Sequence, residues 1–279
     1  MNNHQETQYL TLLEDIIDNG KVHDDRTGTG TYRLKNKTLS FDLSEEFPLL
    51  TTKKMFVKGI ITELLWFLNG DTNLKYLHEN GNHIWDKNQE NFVEKRKIKN
   101  LKTNDGDCGN IYGKQWRNFN GVDQISELIK NIKSDPNSRR HIVSSWNPED
   151  INPYSCCLPP CHVLFQCFVE KDELSLTLYQ RSGDFFLGIP FNLASYSILT
   201  CMIAHVCDLK PKTFFHFIGD CHVYKNHLNQ CKEQLKRTPF KFPKLKIKRK
   251  VENIFDFKLE DFEFEDYISH PTIKAEMSV

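Results

Sequence analysis

The sequence has no excess of charge of either sign. Its 279 residues include 37 Lys and Arg against 37 Asp and Glu. A protein whose main ligand is a nucleic acid or an acidic membrane surface usually has a strong positive field, and no such overall field exists here. Any site for an anion must therefore be built locally from a few basic side chains.

The sequence also lacks a linker, a membrane-length apolar run and a secretory signal. No Pro/Gly/Ser-rich stretch or abrupt change of composition divides it, so we predict a single domain over residues 1–279. No apolar run approaches the length of a membrane span, so no membrane contact is predicted. The first residues have neither the basic nor the apolar region of a signal peptide.

The cysteines lack the spacing of a disulfide framework or a metal site. There are nine, an odd number, and none forms a Cys-x-x-Cys pair. They predict a reducing, intracellular compartment, the cytoplasm, with the nucleus as an open alternative. His205 and Cys207 have no second ligand pair at zinc-finger spacing, so no metal is predicted.

Hydrophobic periodicity predicts a mixture of helices and strands. Helices are expected over 9–17, with Gly20 closing it in a left-handed cap, and over 57–69, with Gly70 ending it. Further helices are expected over 73–79, 122–132 and 193–208, with another beginning at 221. Strands are expected over 31–43, 139–143, 162–169, 174–180, 213–220 and 240–249. The charged stretch 90–109 is predicted to be a surface excursion. The alternation at 240–249 is typical of a charged outer strand face, with a nucleic-acid patch as the weaker alternative.

The most informative stretch is Leu158-Pro159-Pro160-Cys161-His162, which places one thiol between a rigid turn and a strand. Each proline fixes its own φ and restricts the residue before it, so the backbone reaches Cys161 with little freedom. The next strand completes a predicted hairpin and ends near Arg181, where a cation beside the thiol would favour the nucleophilic thiolate. A small buried hydrophobe is the alternative for a lone cysteine.

Several other polar residues stand out from their surroundings. Glu63 lies in an otherwise apolar helix and is costly there unless it has a partner or a function. Arg26 lies in a loop with two glycines, which let backbone N–H groups approach an anion. Arg139 and Arg140 open a strand, so their side chains point to opposite sides, an arrangement suited to a boundary between subunits. Asn192 is predicted to cap the helix that follows it.

Three of these segments occur together and in order: Leu158 to His162, Gln180-Arg181-Ser182-Gly183-Asp184, and Gly188-Ile189-Pro190-Phe191-Asn192. In them the sequence resembles the thymidylate synthase family, and the resemblance runs from Asp25 to the carboxyl terminus. It implies an α+β single domain with a large twisted mixed β-sheet packed by helices. It also implies a homodimer formed through the sheet face.

The resemblance implies three sets of site residues. The catalytic set is Cys161, Glu63, Tyr112, Arg181, Asn192 and His162. The set for deoxyuridine monophosphate (dUMP) is Arg26, Arg139, Arg140, Arg181, Ser182, Asp184, Asn192, His222 and Tyr224. The folate set is Ile84, Trp85, Asn88, Asp184, Leu187, Gly188, Phe191, Met277 and Ser278.

The implied reaction is reductive methylation of dUMP to thymidine monophosphate, with 5,10-methylenetetrahydrofolate as co-substrate and no metal. Arg139 and Arg140 are expected to reach the site of the partner subunit. Two alternatives remain: a pyrimidine nucleotide hydroxymethylase of the same fold, and a non-catalytic regulator that binds nucleotide or RNA. Asn192 favours uracil over cytosine because its amide offers both a donor and an acceptor, and the balanced charge gives RNA binding no support.

Overall fold

The protein is an α+β structure, as predicted. A computed structural model describes residues 4–25 and 27–276. The described strands are β1 Lys21–His23, β2 Thr31–Asp42, β3 Ile142–Ser144, β4 His162–Glu170, β5 Glu173–Asp184, β6 Lys210–Tyr224, β7 Lys244–Ile247 and β8 Phe262–Glu265. The described α-helices are α1 Thr7–Asn19, α2 Val57–Leu68, α3 Lys75–Glu79, α4 Asp86–Ile98, α5 Tyr112–Arg117, α6 Gln124–Ser134, α7 Gly188–Val206 and α8 Leu228–Leu235.

Six of these strands form one mixed sheet in the order β1-β2-β6-β5-β4-β3, while β7 and β8 pair separately. Within the large sheet β5 and β6 are parallel, and the other neighbours are antiparallel. A parallel pair needs a crossover connection, and α7 supplies it. The large mixed sheet that the sequence implied is therefore confirmed.

Helix α7 forms the centre of the layer that covers this sheet, packing on β5 and β6. The length and composition of α7 contradict the prediction that no apolar run approaches the length of a membrane span. Its 19 residues, with a mean hydropathy of 1.3 over the most apolar window, are long and apolar enough for one. However, 83% of that window is buried inside the protein, as in a core helix.

The hairpin of β4 and β5 confirms the prediction around the thiol. Leu174, Leu176 and Leu178 are fully buried and face α7, which matches the period-two pattern of the sequence. The turn passes through Lys171 in the left-handed region, with φ of 57°. A β-bulge interrupts the pairing of β4 just after His162, so the first residues of the strand are displaced beside the proline turn.

The opposite side of the sheet carries apolar side chains that are only partly covered. Cross-strand pairing places Ile142, Leu164, Phe168, Tyr179 and Phe217 on this side. Phe168 is 42% exposed and Ile142 45% exposed, while Tyr179 stacks on Phe217 with ring centroids 5.3 Å apart. We call this surface, defined by these five residues, the outer sheet face.

Two predicted helix boundaries are wrong near the end of the sheet. Asn192 does not cap α7, because the helix already begins at Gly188 and Asn192 lies within it. The segment from Cys221 to Tyr224 is not the start of a helix but the end of β6, where it pairs with β2. In each case tertiary contacts with the sheet extend a regular element beyond its local signal.

Glycines end two helices in different ways. Gly70 follows α2 with φ of 69°, so the predicted stop is confirmed. Gly20 was predicted to close α1 in a left-handed cap, which is wrong: its φ is −65° and its ψ 134°. A Cβ there would lie 2.2 Å from the carbonyl oxygen of Ile16, so glycine is needed for close backbone approach instead.

The charged segment and two short strands also differ from expectation. Residues 86–98 form helix α4, whose single buried residue is Phe92, so periodicity gave little signal. The strand predicted to open at Arg139 begins at Ile142, and both arginines are exposed before it. The outer strand predicted over 240–249 shortens to β7, which alternates exposed Lys with partly buried residues.

Candidate active site

The proline turn places Cys161 directly before β4, at the bulged end of the hairpin. Its backbone N–H donates to the hydroxyl oxygen of Tyr112 at 2.7 Å, and its carbonyl accepts from Arg181 N at 2.9 Å. The side chain is partly buried. Two elements therefore fix the thiol from opposite sides, α5 through Tyr112 and β5 through Arg181.

Arg181 is held on the turn itself. Its Nε donates to the carbonyl of Pro160 and its Nη2 to that of Pro159, both at 2.8 Å. The same Nη2 lies 3.8 Å from the sulfur of Cys161. The guanidinium carbon of Arg181 lies 5.5 Å from the ring centroid of Trp146. A fixed positive charge beside the sulfur favours the thiolate, which is the nucleophilic form.

Glu63 faces the same region from the buried side of α2. It is 8% exposed, and its Oε1 accepts a hydrogen bond of 2.6 Å from the indole N–H of Trp85. Burial raises the pKa of Glu63 from 4.5 to about 7, while the hydrogen bond from Trp85 opposes the rise. A carboxyl group with this pKa both binds and releases protons near neutral pH.

Aromatic rings close the space between Glu63 and the thiol. The ring of Tyr112 lies 4.8 Å from that of His162 and 6.2 Å from that of Trp85. Burial raises the pKa of Tyr112 well above its usual value, so its hydroxyl stays neutral. Burial also lowers the pKa of His162 to about 4, although a hydrogen bond between the imidazole and the side chain of Asn192 acts to raise it, so the imidazole is neutral at physiological pH.

A buried polar chain orients Asn192. His216 Nε2 lies 2.8 Å from Oε1 of Gln180, and Gln180 Nε2 lies 3.0 Å from Oδ1 of Asn192. The Gln180 amide also donates to the carbonyl of Ser182 at 2.9 Å. Burial lowers the pKa of His216 to about 3, so it is a neutral donor to Gln180. In this hydrogen-bonded series Gln180 donates to the oxygen of Asn192. The amide N–H groups of Asn192 are then available to another acceptor.

Sequence reasoning missed Gln180 and His216. Both are buried, with exposures of 2% and 0%, on the helix-covered side of β5 and β6. The signal was present, because Gln180 continues the inward series Leu174, Leu176 and Leu178 as a polar residue. A buried amide at that position requires a partner and so marks a network.

Neighbouring strand ends bring a second group of predicted residues together. Asp184 pairs with His222 across β5 and β6, and the Asp184 carboxylate accepts from the N–H groups of Phe186 and Leu187. His222 Nδ1 lies 3.0 Å from Asp220, which also pairs with Arg33. Ser182 and Tyr224 are partly buried on these same strands. Asp220, a residue that sequence reasoning missed, orients His222.

The described residues of the predicted folate set, apart from Asp184, lie on two segments. Trp85 is buried, while Ile84 and Asn88 on either side of it are partly buried around the start of α4. Leu187, Gly188 and Phe191 are partly buried at the start of α7. The two segments leave partly accessible surface next to the Glu63 and Cys161 cluster.

Some predicted residues are not brought together with the thiol. Ile142, just after Arg139 and Arg140, pairs with Gln166, five residues beyond Cys161 and about 17 Å away along a strand. The Arg139 carbonyl accepts from Gln166 Nε2 at 3.0 Å. Both arginines therefore lie at the sheet edge, apart from Cys161 of their own chain. Arg26, Met277 and Ser278 lie outside the described residues.

Comparison with known proteins identifies the family of the chain that carries this site. The family model described as thymidylate synthase matches residues 7–279. The chain belongs to the thymidylate synthase family. It is 51% identical to a thymidylate synthase of Mycoplasma mobile, across 98% of this chain and 99% of that relative. It is 49% identical to a thymidylate synthase of Francisella philomiragia subsp. philomiragia, again across 98% and 99%.

Membership in the thymidylate synthase family confirms the resemblance seen in the sequence. The match begins at residue 7 and therefore includes both the segment 84–88 and the proline turn with its thiol. The α+β architecture with its six-stranded mixed sheet agrees with that assignment. The chain is thus a thymidylate synthase family member in which Arg181 lies beside the thiol and Trp85 donates to the buried carboxyl group of Glu63.

Proposed function

We propose that this chain converts dUMP to thymidine monophosphate, taking both the carbon and the hydride from 5,10-methylenetetrahydrofolate and releasing dihydrofolate. The observation that carries the proposal is the guanidinium of Arg181, held 3.8 Å from the sulfur of Cys161 by two proline carbonyls. No metal takes part in the proposed reaction. The names of the two relatives agree with this activity.

The first step is addition of the Cys161 thiolate to carbon 6 of the uracil ring. Carbon 5 of an intact pyrimidine is a poor nucleophile, and it gains enolate character only when this addition has occurred. The negative charge then develops on oxygen 4 of the ring. The amide N–H groups of Asn192, held in place by Gln180, are the proposed donors to that oxygen.

The next steps transfer the carbon and the hydride. Carbon 5 attacks the methylene carbon of the folate, and the proton on carbon 5 passes to the Glu63 region, where a pKa of about 7 suits a proton acceptor. Breaking the methylene–nitrogen bond leaves an exocyclic methylene on the base. Hydride from the tetrahydrofolate ring reduces it to the methyl group, Cys161 leaves carbon 6, and the folate departs oxidised as dihydrofolate.

Tyr112 contributes position and a neutral hydroxyl to these steps. Its oxygen accepts from the backbone N–H of Cys161 at 2.7 Å and so fixes the turn that carries the nucleophile. The raised pKa of Tyr112 makes it a hydrogen-bonding relay and gives the role of base to Glu63. His162 is also neutral and lines the same space.

Substrate binding is proposed for groups around this centre. The nucleotide set is Arg26, Arg139, Arg140, Arg181, Ser182, Asp184, Asn192, His222 and Tyr224, with Asp220 orienting His222. The folate set is Ile84, Trp85, Asn88, Asp184, Leu187, Gly188, Phe191, Met277 and Ser278. The single domain over 1–279 is part of the same proposal.

The active form is proposed to be a homodimer in which Arg139 and Arg140 bind the phosphate in the partner's site. Two observations support this: the outer sheet face has partly exposed Phe168 and Ile142, and both arginines are exposed at its edge. Apolar surface of this kind on a sheet is typical of an interface. The arginines lie apart from Cys161 of their own chain.

Compartment and alternative functions follow from simpler features. Within the described residues the nine cysteines form no disulfide, which supports a reducing compartment such as the cytoplasm.

A pyrimidine hydroxymethylase of this fold is the second candidate. Uracil is favoured over cytosine because Gln180 holds the Asn192 oxygen and turns an N–H donor towards the base.

The experiment that tests the proposal measures dihydrofolate by absorbance when purified protein is mixed with dUMP and methylenetetrahydrofolate. We expect continuous formation of dihydrofolate in proportion to enzyme. A parallel reaction with deoxycytidine monophosphate and product analysis identifies a hydroxymethylase. Absence of dihydrofolate together with a hydroxymethyl product would replace the proposal with the second candidate.

A further inference from the structure

Two imidazoles and one carboxylate meet on the surface beside the segment that carries Trp85. His78 lies in the last turn of α3, His83 in the connection, and Asp86 at the start of α4. Asp86 Oδ1 lies 2.7 Å from His78 Nε2, and its Oδ2 lies 2.9 Å from His83 Nδ1. The three donor atoms all lie within 4.8 Å of one another.

The backbone between these residues brings them together. Gly81 has φ of 69°, which lets the chain reverse immediately after α3. The two imidazole rings then stack with centroids 4.9 Å apart and an interplanar angle of 25°. Each carboxylate oxygen of Asp86 is hydrogen-bonded to a different imidazole, so the carboxylate lies between two ring nitrogens.

We propose that His78, His83 and Asp86 form a binding site for a first-row divalent transition-metal ion of the Zn²⁺ class. Two imidazoles and a carboxylate are ligands that such ions accept, and three protein ligands leave a position for water. Bonds of about 2.1 Å in a tetrahedron place ligand atoms ~3.4 Å apart. Two donor pairs, at 2.7 and 2.9 Å, are closer than this value, and all three atoms lie within 4.8 Å, so small side-chain rotations adapt them.

The charge of the cluster suits a cation. Asp86 brings a carboxylate, which is an anion at neutral pH, into contact with both imidazoles. The side chains of His78, His83 and Asp86 are 44%, 63% and 32% exposed, so an ion reaches them from solvent.

The position of this cluster connects it to the proposed folate surface. Asp86 directly follows Trp85, whose indole donates to Glu63 at 2.6 Å, and Ile84 and Asn88 belong to the same segment. An ion bound by His78 and Asp86 joins α3 to α4 across this segment. We expect it to change the KM for the folate more than kcat. This consequence rests on the proposed function, whereas the binding itself does not.

The binding test is titration of the purified, reduced protein with Co²⁺, followed by absorption spectroscopy. We expect saturable d–d bands without thiolate-to-cobalt charge transfer, since the ligands are nitrogen and oxygen. His78→Gln and His83→Gln should each weaken binding at least about tenfold, in line with loss of one of three ligands. His270→Gln is the matched control, because His270 bonds to the Thr238 carbonyl and is outside the cluster.

The outcomes separate the site from adventitious binding. Equal Co²⁺ affinity in wild type and both cluster variants overturns the proposal, as does a spectrum with thiolate charge transfer that both variants retain. Circular dichroism of each variant verifies that the fold is kept. Lower pH should weaken binding in wild type, because protons and metal compete for the imidazoles.

The functional consequence has its own measurement. At a Zn²⁺ concentration that saturates wild type but leaves His83→Gln largely unloaded, the KM for methylenetetrahydrofolate should change at least about twofold in wild type and stay constant in His83→Gln. An equal change in both proteins assigns the effect to another site, such as Cys161, and overturns the link to the folate surface. If no dihydrofolate forms at all, the proposed function fails while the Co²⁺ result still decides the metal site.

Discussion

At the scale of single residues, the site depends on charge placed beside a fixed sulfur. Arg181 is constrained by the carbonyls of Pro159 and Pro160, so its guanidinium cannot leave Cys161 without losing two hydrogen bonds. Hydrogen bonds from a charged group are each worth about 1.5–3 kcal/mol. The prolines thus set the path of the backbone and also anchor the cation.

Replacing the nucleophile tests this arrangement most directly. Cys161→Ser should lower kcat at least about a thousandfold, because an alcohol is a far weaker nucleophile than a thiolate, while the Kd for dUMP changes only a few fold. Steady-state kinetics and calorimetric titration with dUMP measure the two quantities. Cys201→Ser, at a partly buried position in α7, is the control for loss of a thiol. Turnover within a few fold of wild type would remove Cys161 from the mechanism.

Choice of base is also a property of one side chain and its support. Asn192→Asp should shift relative kcat/KM towards deoxycytidine monophosphate by about tenfold or more, because a mismatch leaves buried polar atoms unpaired. Competition between the two nucleotides gives this ratio. Asn229→Asp on the exposed side of α8 makes the same chemical change away from the site. An unchanged ratio in the Asn192 variant would show that this residue does not recognise the ring.

At the scale of elements, helix α2 buries the carboxyl group of Glu63 among apolar side chains, which disfavour its ionised form. Apart from Glu63, the buried positions of α2 carry no charge. The fold raises the pKa of Glu63 from 4.5 to about 7. Folded protein therefore keeps a proton that unfolded protein releases between these values, so this group lowers stability as pH rises from 4.5 to 7.

Glu63→Gln should separate stability from chemistry. The variant should gain stability relative to wild type as pH rises from 4.5 to 7, by about 3 kcal/mol at most, since one pKa unit corresponds to ~1.4 kcal/mol. Urea unfolding at several pH values measures the gain. The same variant should lose roughly 10²- to 10⁴-fold in kcat and the pH dependence of kcat near 7. A stability difference that does not change with pH would contradict the raised pKa of Glu63.

At the scale of the whole molecule, the six-stranded sheet has two different surfaces. One is covered by α7, and the other is the outer sheet face with Arg139 and Arg140 at its edge. The proposed dimer buries this second surface and supplies each site with arginines from the other chain. Shared sites of this kind can be tested by mixing inactive subunits.

Complementation is the test of the shared site. Mixing Cys161→Ser chains with chains that carry both Arg139→Ala and Arg140→Ala should restore up to about a quarter of wild-type activity, because half of the dimers are mixed and each has one intact site. The control mixes Cys161→Ser with Glu63→Gln, which leaves a defect in each site. Mixed dimers that remain inactive after verified subunit exchange would contradict the sharing of arginines.

The sequence by itself determined the local features. The period-two leucines predicted β5, the apolar stretch with Gly70 predicted α2, and the two prolines predicted a constrained approach to Cys161. These features depend on residues adjacent in the chain, whose steric and hydrophobic preferences act without distant contacts. The ordered motifs also indicated the family, which the comparisons confirm.

Only the tertiary structure decided the features that depend on distant partners. Pairing with β2 kept residues 221–224 in a strand, and packing on the sheet began α7 at Gly188. The amide of Asn192 acquired its orientation from Gln180 and His216, which lie 12 and 36 residues from their partners in this chain. Burial and hydrogen bonding are summed over groups that meet only in the folded protein, so no local pattern encodes them.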